Sequence, residues 1–147
     1  VNITPAKNTL LDLLDSVTIV PGGGDYGNGY AYGYRKNAPD DWYYRCHFKG
    51  DPVMPGSLGI ESIFQLFDEY IRSLEPGAHG IQIASGSEFS WKYRGQVLKP
   101  HTLMQVEAHF SDPVQDGTGC KVCGDASLWA DDVRIYTVNQ LCVHYQK

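Results

Sequence analysis

Two pairs of helix-breaking residues bracket the feature that most limits the fold. From Leu58 onward, apolar residues recur at Ile60, Ile63, Phe64, Phe67, Ile71 and Leu74, and Pro76-Gly77 ends the run. Gaps of two, three and four residues place these side chains along one broad face of an α-helix. Pro52 and Pro55 exclude a regular helix or a central strand just upstream. Gly56 or Ser57 therefore opens the helix and Pro76-Gly77 closes it. A helix of about 17 residues is about 26 Å long. It is the only long helix the sequence offers, and so wide an apolar face has to be largely wrapped by other structure.

The rest reads mainly as strands. Leu10 to Val20 mixes aliphatics with aspartates, as a short helix turning into a strand would. Pro21 to Asp25 is a glycine-rich loop, and Gly29 to Tyr34 alternates small and aromatic residues with the period of a strand. Asn37 to Asp41 is a polar break around Pro39. Ile81 to Trp91, Gln96 to Leu98, Leu103 to Phe110, Gly119 to Trp129 and Arg134 to Tyr145 carry strand-type residues. Asp112-Pro113, Asp116-Gly117 and Asp131-Asp132 mark turns between them. The second half thus predicts an antiparallel meander. One long helix followed by a meander is an α+β pattern, with the sheet curled round the helix. The 147 residues suit a single domain over 1–147. The start at Val1 rather than Met fits a fragment of a larger chain.

Charge and composition exclude several function classes. The net charge is −5 and no Lys/Arg cluster stands out, which argues against nucleic acid, whose phosphates need concentrated positive charge. No apolar run reaches the roughly 18 residues of a membrane-spanning helix, and no signal peptide is visible. The glycines after Pro21 lack the GK[ST] of a phosphate loop. Cys120 and Cys123 form a CxxC, but no second pair of cysteines or histidines completes a tetrahedral zinc site. The four cysteines, Cys46, Cys120, Cys123 and Cys142, read as reduced residues packed in a sheet. That points to a cytoplasmic setting. No metal or cofactor is expected.

The segment leading into the helix carries the chemistry. His47 follows an aromatic run and precedes the loop pinned by Pro52 and Pro55. An imidazole with an ordinary pKa of about 6.5 is a usable base near neutral pH. Glu61 sits near the start of an otherwise apolar helix, where desolvation can hold a carboxyl protonated as an acid. Gly56 stands at the helix start, where a backbone N–H without an intrahelical partner favours developing negative charge. Base, acid and oxyanion donor are the parts needed to remove water from a β-hydroxy carbonyl compound. The bland alternatives are a packed or surface histidine and a first-turn glutamate that complements the helix dipole.

The run CHFKGDPVMPGSLGIESIFQL, from Cys46 to Leu66, resembles the active-site segment of β-hydroxydecanoyl-acyl-carrier-protein dehydratase and its hotdog-fold relatives. Asp41-Trp42-Tyr43-Tyr44 is similar to that family's lead-in, Lys92 to Leu98 to a second family segment, and Ile135-Tyr136-Thr137 to its tail. The resemblance implies a hotdog fold, a long central helix wrapped by a curved antiparallel sheet. It implies that His47 removes the C2 proton, Glu61 protonates the departing C3 hydroxyl, the Gly56 N–H polarises the thioester carbonyl, and the Val53 carbonyl orients the histidine. Cys46, Asp51 and Pro55 match the motif as loop-shaping residues. The substrate implied is a 3-hydroxyacyl chain on the phosphopantetheine of an acyl carrier protein. The histidine and carboxylate of one site usually come from different hotdog units, which implies a homodimer or a tandem pair.

Glu61 stands where the isomerising enzyme has aspartate, and Ser57 where it commonly has cysteine. The glutamate resembles that of non-isomerising relatives and of polyunsaturated fatty acid synthase dehydratase domains, which implies dehydration without isomerisation; with Ser57 and Val1 it implies a dehydratase domain of a polyunsaturated fatty acid or polyketide-type synthase. The competing readings are a hotdog acyl thioesterase and a non-catalytic pseudo-hotdog that completes a dimer or docks a carrier protein. Trp91 and Tyr93 either line the acyl channel or pack in the core. His79, His101, His109 and His144 match no motif and read as surface or strand residues.

Overall fold

A computed structural model of the chain describes residues 1–7, 12–46, 54, 56–84, 86 and 88–147, without the side chains of Arg45 and Cys46. In chain order the elements are β1 (Asn2–Ile3), β2 (Ser16–Pro21), β3 (Gly29–Lys36), α1 (Tyr43–Cys46) and α2 (Gly56–Leu74). Then come β4 (His79–Ile83), β5 (Ser90–Tyr93), β6 (Leu103–Phe110), β7 (Val114–Asp116), β8 (Gly119–Ala130) and β9 (Val133–Gln146). These strands join one antiparallel sheet in the order β1-β2-β3-β6-β8-β9-β4, with β5 also pairing with β9 and β7 with β8. The helix α2 packs on one face of that sheet, the α+β arrangement expected.

Alternation decides which face meets the helix. Along β6, Met104, Val106, Ala108 and Phe110 are buried while the residues between them are half-exposed. The same period runs through β3 and most of β8. In β3 the small residues Gly29, Ala31 and Gly33 point inward and the tyrosines point out, so the strand leaves room for bulky helix side chains. A Cβ on Gly29 would lie 2.2 Å from the Tyr70 hydroxyl, which requires glycine there. Into this space α2 inserts Ile63, Leu66, Phe67, Tyr70 and Ile71, all buried. Tyr70 stacks on Phe110 at 3.7 Å between centroids, and Phe67 meets the same ring edge-on at 4.8 Å. Burying each such side chain stabilises by about 1.5–3 kcal/mol.

Several expectations need correction. Among the described residues the sheet covers one side of α2 only: Ile60 and Phe64 are half-buried, and Leu74, at the last turn, is exposed. Of the short helix expected from Leu10, residues 10 and 11 lie outside the described residues and 12–15 belong to no helix; the strand expected next begins at Ser16. The expected strand Ile81 to Trp91 is two, β4 and β5; of the described residues between them, Gly86, Glu88 and Phe89 belong to no strand. Gln96 to Leu98 is not a ladder strand; Val97 is apolar because it is buried in the core. The meander holds for β6, β8 and β9, but β4 and β5 return to pair with β9, so the sheet order is not the chain order.

The cysteines also depart from expectation. Cys120 is free and buried, whereas Cys123 and Cys142 form a disulfide. Cys123 lies directly opposite Cys142 in the β8–β9 register, with Cα atoms 4.0 Å apart. Neighbours across a sheet are set by register, and nothing local to either cysteine announces the pairing. No helix among the described residues is long and apolar enough to cross a membrane.

Candidate active site

The lead-in to the motif is held by a compact polar network. The Arg35 guanidinium donates to the Asp41 carboxylate at 2.8 Å, and both side chains are mostly buried. Asp41 also accepts from the Ala38 N–H at 3.0 Å and the Tyr43 hydroxyl at 3.1 Å. The Tyr44 hydroxyl donates to Asn37 Oδ1 at 2.6 Å. Burial pushes the pKa values of both tyrosines up, so each stays a hydroxyl donor. Together these bonds fix α1, the element that delivers the chain to His47. The aspartate–aromatic lead-in is thus an anchor. Asp41→Ala leaves Arg35 buried without its carboxylate and is expected to destabilise the fold by about 3 kcal/mol, read as a lowered midpoint in denaturant titration.

His47 and Val53 lie outside the described residues, as do Asp51 and Pro55. The one described residue between His47 and Gly56 is Met54, which is buried. Its N–H donates to the Val97 carbonyl at 2.8 Å. Met54 is therefore tied to the Gly95-Gln96-Val97-Leu98 segment, which lies far away in the chain.

Gly56 opens α2 as expected. Tyr136 and Trp91 lie against it: a Cβ at Gly56 would sit 3.6 Å from the Tyr136 hydroxyl and 3.7 Å from the Trp91 ring. Trp91 and Tyr93 are 39% and 59% exposed, so they are not core residues. They neighbour buried Tyr136 on β9, where Trp91 pairs with Val138 and Tyr93 with Tyr136.

Glu61 lies elsewhere on the helix. Five residues beyond Gly56, it is rotated by roughly 140° about the axis. It lines a groove of about 430 Å³ with Phe64, Gln65, Asp68, Arg72, Ile81, Gln82, Ile83 and Val143. The apolar walls come from α2, the edge strand β4 and β9. Gln65 Nε2 donates to Glu61 Oε1 at 3.4 Å, while Gln65 Oε1 accepts from the Leu13 N–H at 2.8 Å. Gln65 thus fastens the chain before β2 to the helix and touches the candidate acid. Its position four residues after Glu61 is a signal legible in the sequence, although Gln65 is not among the expected site residues. Gly56 and Glu61 of one chain face different surroundings. Among the described residues no cluster of His, Cys, Asp and Glu could hold a metal ion.

Known proteins share both the sequence and the arrangement. Residues 4–139 match the FabA-like domain. The chain is 40% identical over 136 residues to a component of the polyunsaturated fatty acid synthase of Thraustochytrium sp., covering 88% of this chain and 9% of that protein. It therefore spans only a small part of that relative. Among solved structures it resembles AziG of S. sahachiroi, with a TM-score of 0.57 and 9% identity over 89% of this chain and 91% of the other. It also resembles the dehydratase heterocomplex ApeI:P of Xenorhabdus doucetiae, with a TM-score of 0.51 and 13% identity over 80% of this chain and 88% of the other. At such identities the two structures speak to fold alone.

Proposed function

The chain belongs to the FabA-like domain family, and from that premise we propose that it dehydrates 3-hydroxyacyl thioesters to trans-2-enoyl thioesters in fatty acid or polyketide-type synthesis. The acyl chain rides on the phosphopantetheine of an acyl carrier protein. The imidazole of His47 takes the C2 proton, and the electron pair of that C–H bond becomes the C2–C3 double bond. The C3–O bond breaks as Glu61 gives its proton to the hydroxyl, and water leaves. The Gly56 N–H stabilises the charge that builds on the thioester oxygen, and the Val53 carbonyl orients His47. Glutamate at 61 favours dehydration without isomerisation.

The observation that carries this reading is the setting of Glu61. The Glu61 carboxyl lines a groove in which Gln65, Asp68, Arg72 and Gln82 stand beside the apolar Phe64, Ile81, Ile83 and Val143, so that an acyl chain lying along the apolar residues would have an acid next to it. The separation of Gly56 from Glu61 supports a hotdog site shared between two units, one giving His47 and Gly56 and the other Glu61. The edge strand β4 supports the same arrangement. It ends the sheet among the described residues and leaves Ile83 43% exposed, the kind of rim on which a second unit pairs. The partner is a second copy or a tandem hotdog. The cytoplasm goes with this reading only through the synthase relative, since the Cys123–Cys142 disulfide removes the argument from reduced cysteines.

A hotdog thioesterase would act on the same substrates by releasing free thiol. Supplying 3-hydroxyacyl thioesters and following both products separates the two. Enoyl thioester should form with no thiol release. Thiol release without enoyl product would make the chain a thioesterase, and neither product, with the partner unit present, would leave it a non-catalytic hotdog.

A further inference from the structure

Tyr136 enters the first turn of α2 from the sheet side. The residue is 2% exposed. A Cβ on Gly59 would lie 2.4 Å from Tyr136 Cε2 and 2.8 Å from both Cζ and the hydroxyl oxygen. Only glycine at 59 admits the ring at this depth. The hydroxyl also lies 3.6 Å from where a Cβ on Gly56 would be, and it donates to the Gly56 carbonyl at 3.5 Å. Gly56 and Gly59 stand three residues apart, close to one helical turn. They form a notch, and the phenol oxygen is seated in it.

Trp91 and Tyr93 pack against the ring, at 5.7 and 6.0 Å between centroids. Burial, and then the neighbouring Tyr93, pushes the Tyr136 pKa up to about 12. The group is therefore a neutral donor at any working pH.

Glycine is the least constrained residue in the chain, and at a helix start few intrahelical bonds hold it. A donor seated on the Gly56 carbonyl, against a ring that the sheet holds still, removes that freedom. Small displacements matter, because a shift on the order of 1 Å in a reacting or stabilising group can cost about 10²-fold in rate. We propose that Tyr136 is a positioning residue: its hydroxyl, seated in the Gly56–Gly59 notch, sets the first turn of α2 so that the Gly56 N–H meets the thioester oxygen as negative charge develops there. This rests on the dehydratase reading above.

Tyr136→Phe keeps the ring and removes only the oxygen, so the fold is retained. Wild type and variant are compared, each with its partner unit, for turnover of a 3-hydroxyacyl thioester and for the Gly56 amide resonance after 15N-glycine labelling. The expected result is a kcat lowered about tenfold, KM changed less than about twofold, an unchanged melting temperature and a shifted Gly56 amide. A wild-type kcat overturns the proposal, as does a loss carried by KM or by melting temperature. If wild type itself forms no enoyl thioester, the dehydratase reading fails, and the amide resonance alone decides the positioning claim. A moved Gly56 signal then supports it and an unmoved one overturns it.

Discussion

Replacing His47 with alanine is expected to lower dehydration of a 3-hydroxyacyl thioester by more than about 10²-fold, with the fold intact. A positioned general base contributes about 10²–10⁴-fold, and alanine leaves no group to take the C2 proton. The wild-type rate should also carry the mark of an imidazole that must be neutral to work. It falls on the acid side, because an imidazole that has gained a proton cannot accept another. The measurement is kcat/KM against pH for wild type and circular dichroism for the variant. An alanine variant that turns over within a few-fold of wild type removes His47 from the mechanism.

Glu61→Gln is expected to be as damaging, because the amide keeps the shape of the carboxyl and cannot give its proton to the hydroxyl. The larger effect lies in combining the two variants. In a homodimer whose sites each take His47 from one copy and Glu61 from the other, two dead chains can make one live site. Random pairing of His47→Ala and Glu61→Gln chains makes half of the dimers mixed, and each mixed dimer has one of its two sites intact. Co-expressed variants should therefore recover about a quarter of the wild-type rate. A mixture as inactive as either parent means that two copies of this chain do not share a site, and the homodimer form of the reading is lost. The groove beside β4 and the roughly 140° between Gly56 and Glu61 on α2 are the reasons to expect recovery.

Where local pattern decides structure, the chain was legible. The spacing of Ile63, Phe67 and Ile71 announced α2, and β6, β8 and β9 lie where alternation put them. Long-range pairing was not legible. Val97 looks like a strand residue but is apolar because it is buried beside the Met54 backbone. The break between β4 and β5 depends on how both return to β9. The Cys123–Cys142 bond needs a register that neither sequence neighbourhood contains.

The site divides in the same way. Gly56 and Glu61 could be placed on the helix by counting, elementary chemistry suggested an oxyanion donor and an acid, and family resemblance made those roles specific. Tyr136 could not be reached by counting, since only the packing of β9 under the first turn of α2 brings its oxygen to Gly56. Gln65 was within reach, at one helical turn from Glu61, by pairing the polar residues of α2 as well as the apolar ones.

The bond from the Met54 N–H to the Val97 carbonyl changes how loss-of-function variants should be sorted. In a screen, a lesion around Val97 is expected to disturb the Met54 backbone, two residues before Gly56, and to return the phenotype of a damaged site, although Val97 is not one of the groups proposed to act on the substrate. Sequence distance is then a poor guide to diagnosis. Variants at 95–98 belong in the same class as variants at 47–56, and a survey that files them as distant folding defects will undercount what the reaction depends on.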